Sequence, residues 1–269
     1  NLYLEVVGRR ADGYHEVRTL LHLIDLADRV TLRRRPSGIE VTASGREVPL
    51  GPANLAVRAA EVLRARAGRA LGAAIHLEKA IPLGSGLGGG SSNAAATLWG
   101  LNRLWGLGLP PEELAALGAG LGADVPFFLG PPAAFGRGRG EVLEALPPLV
   151  PQALVVAYPG VAVSTAWAYE RLSLPLTSPE AGSTVVRFAR AGDAAGIWRA
   201  AFNRLEEATL PGCPAAAQLK ARLLALGARR ALLTGSGSAV FGVATDPAAA
   251  ARMAARVRAA VCPGEETPQ

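Results

Sequence analysis

The stretch PLGSGLGGGSSNAAA over residues 82–96 constrains this chain more than any other. Five glycines fall within residues 84–90, after a run AAIHLEKAIP that reads as a strand and before SSNAAATLWGLNRLW, which reads as a helix. Glycine has no Cβ to hold a ligand away, so successive N–H groups can turn toward one point, and the start of the following helix adds partial positive charge. Such a stretch is a ready anion site, with phosphate the first ligand to consider. Gly84, Gly86 and Gly89 also satisfy the dinucleotide pattern G-x-G-x-x-G, but that fold needs an acidic residue at the end of a second strand about 20 residues on. Glu112 and Glu113 stand there at the start of a helical run instead, and no G-x-x-x-x-G-K-[ST] occurs in the chain. The plain alternative is a glycine turn with no ligand, at an entropy cost that an idle loop has little reason to carry.

Three further stretches carry chemistry. LLTGSGSAVFG over 232–242 repeats the strand, small-residue loop, strand arrangement, although Gly-Ser-Gly between strands is also a common turn. GADVPFFLG over 122–130 sets Asp124 among apolar and aromatic neighbours, where a carboxylate is either a general base with a shifted pKa or the cap of a turn before Pro126. DGYHE over 12–16 makes a hairpin turn from Asp12 and Gly13, followed by Tyr14 and His15, which fit ordinary packing or a platform for a planar ring.

The 269 residues suffice for one large domain or two medium ones. The β runs come early: Leu2, Leu4 and Val6 alternate, and VRTLLHLIDL, DRVTLRRR and GIEVTAS follow. Asn54 is placed to cap a helix whose apolar stripe is Leu55, Ala59, Val62, Leu63 and Ala67, and PEELAALGAGLG begins another. EALPPLVPQ over 144–152 has three prolines and no helical pattern, so it divides the chain into residues 1–147 and 148–269. Beyond it the pattern predicts a strand at ALVVAYPG, helices over 165–172, 179–191, 193–206 and 214–226, strands at ARRALLTG and SAVFGVA, and an alanine-rich helix from Asp246. The class is α+β with two modules.

The formal charge is +6, and all but two of the 28 basic residues are arginine, the exceptions being Lys79 and Lys220. A basic balance suits an anionic partner, but the arginines are dispersed without interleaved aromatics, the pattern of a solvated surface rather than a nucleic-acid groove. No run offers the roughly 20 apolar residues of a membrane span. Cys213 and Cys262 lie far apart with no metal-ligand spacing, which predicts neither a disulfide framework nor a zinc site and fits a reducing cytoplasm. The chain starts at Asn1 without a secretory signal, and residues upstream of it are expected.

Taken together, the four stretches resemble the GHMP small-molecule kinases, and within them a branch whose acceptor carries a cytidine diphosphate group. The resemblance spans nearly the whole chain in order, with residues 173–210 unspecific. It implies a two-domain GHMP kinase fold, with a ribosomal-protein-S5-domain-2-like N-terminal domain and a ferredoxin-like α+β C-terminal domain. It implies that Pro82, Leu83, Gly84, Ser85, Gly86, Leu87, Gly88, Gly89, Gly90, Ser91 and Ser92 wrap the ATP phosphates, with Asn54 and Lys79 bordering the adenine and ribose. It makes Asp124 the catalytic base and places Asn1 beside the accepting hydroxyl. Tyr14 and His15 receive the cytosine, Tyr169 closes over its other face, and Thr165 is a weaker match near the rest of the acceptor. Relatives carry a lysine two residues before the position of Asn1 that assists the aspartate, so that lysine is expected upstream. Mg²⁺ is implied with ATP, held without a dedicated acidic cluster. The implied partner is a small molecule, with no nucleic acid or membrane, and the implied state a monomer or weak homodimer. The alternatives are another GHMP kinase, of mevalonate or homoserine type, and a nucleic-acid-binding module.

Overall fold

The computed structural model describes residues 1–172 and 181–261. In chain order these form β1 (Tyr3–Arg9), β2 (His15–His22), β3 (Arg29–Arg35), β4 (Ile39–Gly45), α1 (Leu55–Ala67), β5 (Gly72–Lys79), α2 (Gly89–Trp105), α3 (Pro111–Leu121), β6 (Ala133–Arg137), β7 (Val142–Ala145), β8 (Leu154–Ala157), α4 (Thr165–Glu170), α5 (Ala181–Arg190), α6 (Ala194–Ala200), β9 (Phe202–Asn203), α7 (Glu206–Gly212), α8 (Pro214–Ala225), β10 (Arg230–Leu233), β11 (Val240–Val243) and α9 (Pro247–Val261). A 3₁₀ turn covers Pro126–Leu129. The class is α+β, and Cys262 and the start of the helix expected over 179–191 lie outside the described residues.

Two units emerge from the contacts. One gathers Gly8–Leu83 with Gly88–Pro148; the other gathers Asn1–Val7, Gly84–Leu87 and the chain from Leu149 onward. A single division at 147/148 does not contain this interleaving, because most of β1 and the tip of the glycine loop pack with the later half of the chain.

In the first unit, β5 is the centre of a sheet, antiparallel to β3 (Leu32 opposite Ile75) and parallel to β4 (Val41 opposite Ile75). Ile75 and Leu77 point into a core shared with Ala56, Ala59, Ala60 and Leu63 of α1 and with Ala94, Ala95, Leu98 and Leu101 of α2. Alanines along both helices let them lie close to the sheet and to each other, and burying this stripe is what stabilises them. Helix α1 starts as its sequence predicts: the Asn54 side chain accepts the Ala56 N–H at 2.9 Å, and Gly68 ends the helix in the left-handed region. Elsewhere in this unit, β2 pairs antiparallel with β6, and β6 with β7. That hairpin was not expected, because the segment AAFGRGRGEVLEA is glycine-rich and has little alternation.

In the second unit, β11 lies between β10 and β8, both antiparallel to it. Val155, Leu233 and Val240 meet Leu219 and Leu223 of α8 and Met253 and Val257 of α9. The helix expected over 193–206 is corrected: α6 stops at Ala200, and Phe202 and Asn203 form β9, parallel to β1 at Tyr3 and Leu4. Backbone pairing wins over local helical pattern here, since the Arg204 N–H donates to the Leu4 carbonyl at 2.8 Å. Strand β1 also departs from simple alternation, with Tyr3, Leu4, Glu5 and Val6 all buried.

Candidate active site

The glycine loop leaves β5 at Lys79 and ends where α2 begins at Gly89. Two of its glycines are required by shape. Gly86 sits at φ 77°, and a Cβ there would collide with the Thr234 carbonyl. Gly88 is the N-cap of α2 at φ 72°, where a Cβ would stand 2.8 Å from the Phe128 ring. Both occupy the left-handed region that disfavours L side chains. No side chain caps α2 and no acidic residue stands in its first turn, so its leading N–H groups and its dipole are left for a ligand.

The two glycine-serine stretches singled out in the sequence are hydrogen-bonded to one another. Thr234 Oγ1 donates to the Gly86 carbonyl at 3.2 Å, and the Ala239 N–H donates to the Ser85 carbonyl at 3.0 Å. Asn203 in turn fastens the second stretch, its Nδ2 donating to the carbonyls of Leu233 and Gly235, each at 2.8 Å. Thr209 Oγ1 donates to the Ser236 carbonyl at 3.1 Å, and the Thr165 and Ser236 hydroxyls lie 3.0 Å apart. The main-chain nitrogen of Asn1 donates to Thr234 Oγ1 at 3.2 Å. Asn1, Thr165 and the tip of the glycine loop therefore meet around residues 234–236, and Tyr169 lies one turn beyond Thr165 on α4.

Asp124 stands in the turn between α3 and the 3₁₀ segment, with Val125 fully buried beside it. Among the described residues it makes no hydrogen bond or ion pair, and it does not cap the turn before Pro126, where no side-chain cap is formed. Its side chain remains open to water, yet the surrounding protein desolvates the carboxylate and raises its pKa above the ordinary value. Phe128, four residues on, is the ring that packs on Gly88, so the element presenting Asp124 also buttresses the start of α2. On the other side, a Cβ on Gly140 of the β6–β7 hairpin would stand 4.0 Å from Asp124 Oδ1. Arg139, its neighbour, stacks its guanidinium 4.8 Å from the centroid of the Tyr14 ring.

Tyr14 is exposed and held by an Asx turn, its N–H donating to Asp12 Oδ1 at 3.1 Å. His15 follows on β2, where burial and the charge of Arg9 lower its pKa. Lys79 is buried beneath the start of α2, its ammonium ion-paired with Asp28 and 2.8 Å from Asn93 Oδ1. Asn54 uses both side-chain polar atoms locally, with Nδ2 donating to the Pro49 carbonyl at 2.6 Å. Asp28, Asn93, Asn203 and Arg139 are the site residues that sequence reasoning missed. Only glycine spacing around Arg139 offered a signal; Asp28 stood at the head of a β run, and Asn93 and Asn203 fell within helical patterns.

Within one unit, an uncapped helix start behind a glycine-rich stretch and a carboxylate that makes no hydrogen bond or ion pair among the described residues are the arrangement of the small-molecule kinase class. Residues 54–130 match the GHMP kinases N terminal domain and residues 185–263 match GHMP kinases C terminal. The chain belongs to the 4-diphosphocytidyl-2-C-methyl-D-erythritol kinase family. It is 48% identical to the kinase of that name from Moorella thermoacetica, over 96% of this chain and 92% of the relative, and 45% identical to that of Gloeobacter violaceus, over 92% and 84%. A crystal structure of 4-(cytidine 5'-diphospho)-2C-methyl-D-erythritol kinase superposes with a TM-score of 0.78 at 39% identity, covering 96% of this chain and 92% of that one. Homoserine kinase from Cytophaga hutchinsonii, at 24% identity and a TM-score of 0.69 over 87% and 81%, shares the fold.

Proposed function

We propose that this chain transfers the γ-phosphoryl group of ATP to the tertiary 2-hydroxyl of 4-diphosphocytidyl-2-C-methyl-D-erythritol, giving the 2-phosphate and ADP, a step of the non-mevalonate isoprenoid route. The observation that carries the reading is the continuous path within one unit from the uncapped start of α2, through Phe128 to Asp124, and on through Gly140 and Arg139 to Tyr14. Phosphoryl transfer asks for positioning and charge neutralisation more than for covalent chemistry. The loop Pro82–Ser92 holds the phosphates with main-chain N–H groups, and Asn54 borders the nucleoside side, while Lys79 lies buried under the start of α2 against Asp28 and Asn93. Asp124 accepts the hydroxyl proton as the oxygen–phosphorus bond forms, its raised pKa strengthening it as a base. Asn1 and Thr165 orient the acceptor, Tyr14 and Tyr169 sandwich its cytosine, and His15 reads the ring edge. Arg139, already against Tyr14, offers its cation to the acceptor diphosphate.

No group of three or more acidic, histidine or cysteine side chains suited to a metal ion occurs among the described residues. The donor set fits Mg²⁺ only as an ion that would be held largely by ATP and water, with a loop serine such as Ser92, whose hydroxyl donates to the Gly89 carbonyl at 2.9 Å, as the side chain that would reach it. When bound, the ion neutralises charge on the phosphates. We read the enzyme as having no nucleic-acid partner, on the dispersed arginines, and as a monomer or weak homodimer, following the resemblance.

The test is turnover of the cytidylyl acceptor with Mg-ATP, run beside mevalonate and homoserine. Phosphorylation of the first at a kcat/KM at least about 100-fold above the others is expected, the discrimination that lost hydrogen bonds and stacking produce. Equal use of mevalonate or homoserine overturns the acceptor assignment.

A further inference from the structure

Asp28 opens a β run in the sequence, directly before β3, and its carboxylate is almost fully buried. Four donors converge on it. Oδ1 accepts the N–H groups of Ala80 and Ile81 at 2.8 and 2.9 Å, and Oδ2 accepts Asn93 Nδ2 at 3.0 Å and the Lys79 ammonium. Lys79 closes the ring by donating to Asn93 Oδ1 at 2.8 Å. The two sets of donors lie on opposite ends of one segment: Lys79, Ala80 and Ile81 are the last residues before the glycine loop, and Asn93 is in the second turn of the helix that follows it. Packing reinforces the junction, since a Cβ on Gly89 would stand 2.8 Å from Ile81 Cγ2 and 3.4 Å from Lys79 Nζ.

We infer that Asp28 is a positioning residue that clamps both ends of the nucleotide loop, and that Lys79 acts on the nucleotide through this clamp rather than by contact with it. A loop rich in glycine has little stiffness of its own, so the aim of its N–H groups depends on how firmly its ends are held. A carboxylate has about four lone-pair sites, and here each one is used to tie the incoming strand to the outgoing helix. The ammonium cancels the buried charge, a pairing without which the carboxylate would not be tolerated there. With its ammonium donating to Asp28 and Asn93, Lys79 is occupied as a structural cation.

The inference deepens the kinase reading and rests on it. The experiment uses the full chain and its Asp28→Asn, Asn93→Ala, Lys79→Met and Asp28→Asn/Lys79→Met variants. KM for ATP, KM for the cytidylyl acceptor and kcat are measured, with direct titration of a fluorescent ATP analogue in parallel. Asp28→Asn is expected to raise KM for ATP and the analogue Kd about tenfold, while KM for the acceptor stays within about twofold; misaiming a positioned group by a fraction of an ångström has effects of this order. Asn93→Ala removes one tie and is expected to give a smaller rise of the same kind, which keeps the idea testable if Asp28→Asn does not fold. The double variant is expected to match Asp28→Asn alone, because both changes open one clamp. Unchanged nucleotide affinity in folded Asp28→Asn or Asn93→Ala overturns the inference, as does an equal rise in both KM values. Multiplicative losses in the double variant overturn the indirect role of Lys79. If the wild type binds the analogue but does not phosphorylate the acceptor, the acceptor reading falls while the clamp is still judged on the titration.

Discussion

Asp124 follows the last residue of α3 by three positions, and what sets it apart is that among the described residues nothing bonds to it while both neighbouring elements are packed. A base role for such a group makes a kinetic prediction. Asp124→Asn keeps the shape and removes the proton acceptor, so kcat is expected to fall by about 10²–10⁴ while KM for ATP changes little. Desolvation by the surrounding protein raises the Asp124 pKa although the side chain reaches water, so the acid limb of the wild-type pH–rate profile is expected above the ordinary carboxylate value near 4, with activity lost as pH falls through it. The limb must vanish in Asp124→Asn and persist in His15→Gln, whose own group titrates below the usual imidazole value. A limb that follows His15 instead would reassign it. Glu5 carries a second residue-scale expectation. It is fully buried on β1, and neither carboxylate oxygen has a hydrogen-bond partner among the described residues. Replacing it with leucine removes an unsatisfied buried polar group and should stabilise the fold by about 1–3 kcal/mol, read as a higher urea midpoint with an unchanged slope. Asp124 was visible in the sequence as an oddity among apolar neighbours, but whether it capped a turn or stood free was settled only by its missing bonds. Glu5 gave no such signal, because one acidic residue in an alternating run looks like an exposed strand position.

The elements that read clearly were those whose signals are local. Asn54 before an apolar stripe marks α1, Pro111 with two acidic residues marks α3, and the glycine run marks the entry to α2. Elements made by partners at long range were hidden: β9 exists because β1 is there to pair with, and β6–β7 because β2 is. The glycine loop belongs to both categories. Its flexibility is local, while its shape is imposed by the Thr234 carbonyl and the Phe128 ring. Gly86→Ala and Gly88→Ala are therefore expected to impair nucleotide binding for steric reasons, each raising KM for ATP about fivefold or more through a strained backbone costing about 1–3 kcal/mol; an alanine tolerated at both positions would show the loop to be adjustable. The Asp28 junction has its own acid signature. Burial alone pushes the Asp28 carboxyl up, but the Lys79 side chain, the Ile81 and Ala80 N–H groups and the Lys79 charge outweigh it and hold the pKa below 3.8. A depressed carboxylate adds stability that is present above the unfolded pKa and lost as pH falls through the folded one. Urea midpoints measured from pH 5 down to pH 2 should therefore decline less steeply in Asp28→Asn than in the wild type, from a lower starting value, since breaking a buried pair costs about 3–5 kcal/mol. Parallel declines would mean that Asp28 is not ionised in the native protein.

At the scale of the whole chain, the order of the motifs was legible while the grouping of segments was not. The linker near residue 148 is a composition signal, but the packing of Asn1–Val7 and Gly84–Leu87 with the later half has no local mark, because it depends on bonds such as Thr234 to Gly86 across 148 residues. Net charge is the property that belongs to the molecule rather than to any site, and it separates the enzyme reading from the rival of a nucleic-acid-binding module. The chain carries +6, spread over arginines such as Arg10, Arg64, Arg137 and Arg204 that are each engaged with a nearby acidic side chain. Charge dispersed in this way, without runs interleaved with aromatics, lacks the pattern of a groove that displaces counterions from a polyanion. A nucleic-acid binder making six to ten phosphate contacts loses about 10³–10⁵ in affinity between 50 and 200 mM salt. A kinase that grips its substrates with main-chain N–H groups, aromatic rings and one or two arginines should lose far less: KM for ATP and for the cytidylyl acceptor are each expected to rise by less than about tenfold over the same range. Binding of a labelled RNA homopolymer followed over those salt concentrations supplies the opposing measurement. RNA binding in the submicromolar range at 50 mM salt that collapses by 200 mM, and that Mg-ATP fails to displace, would mean that the arginine surface is itself a working site.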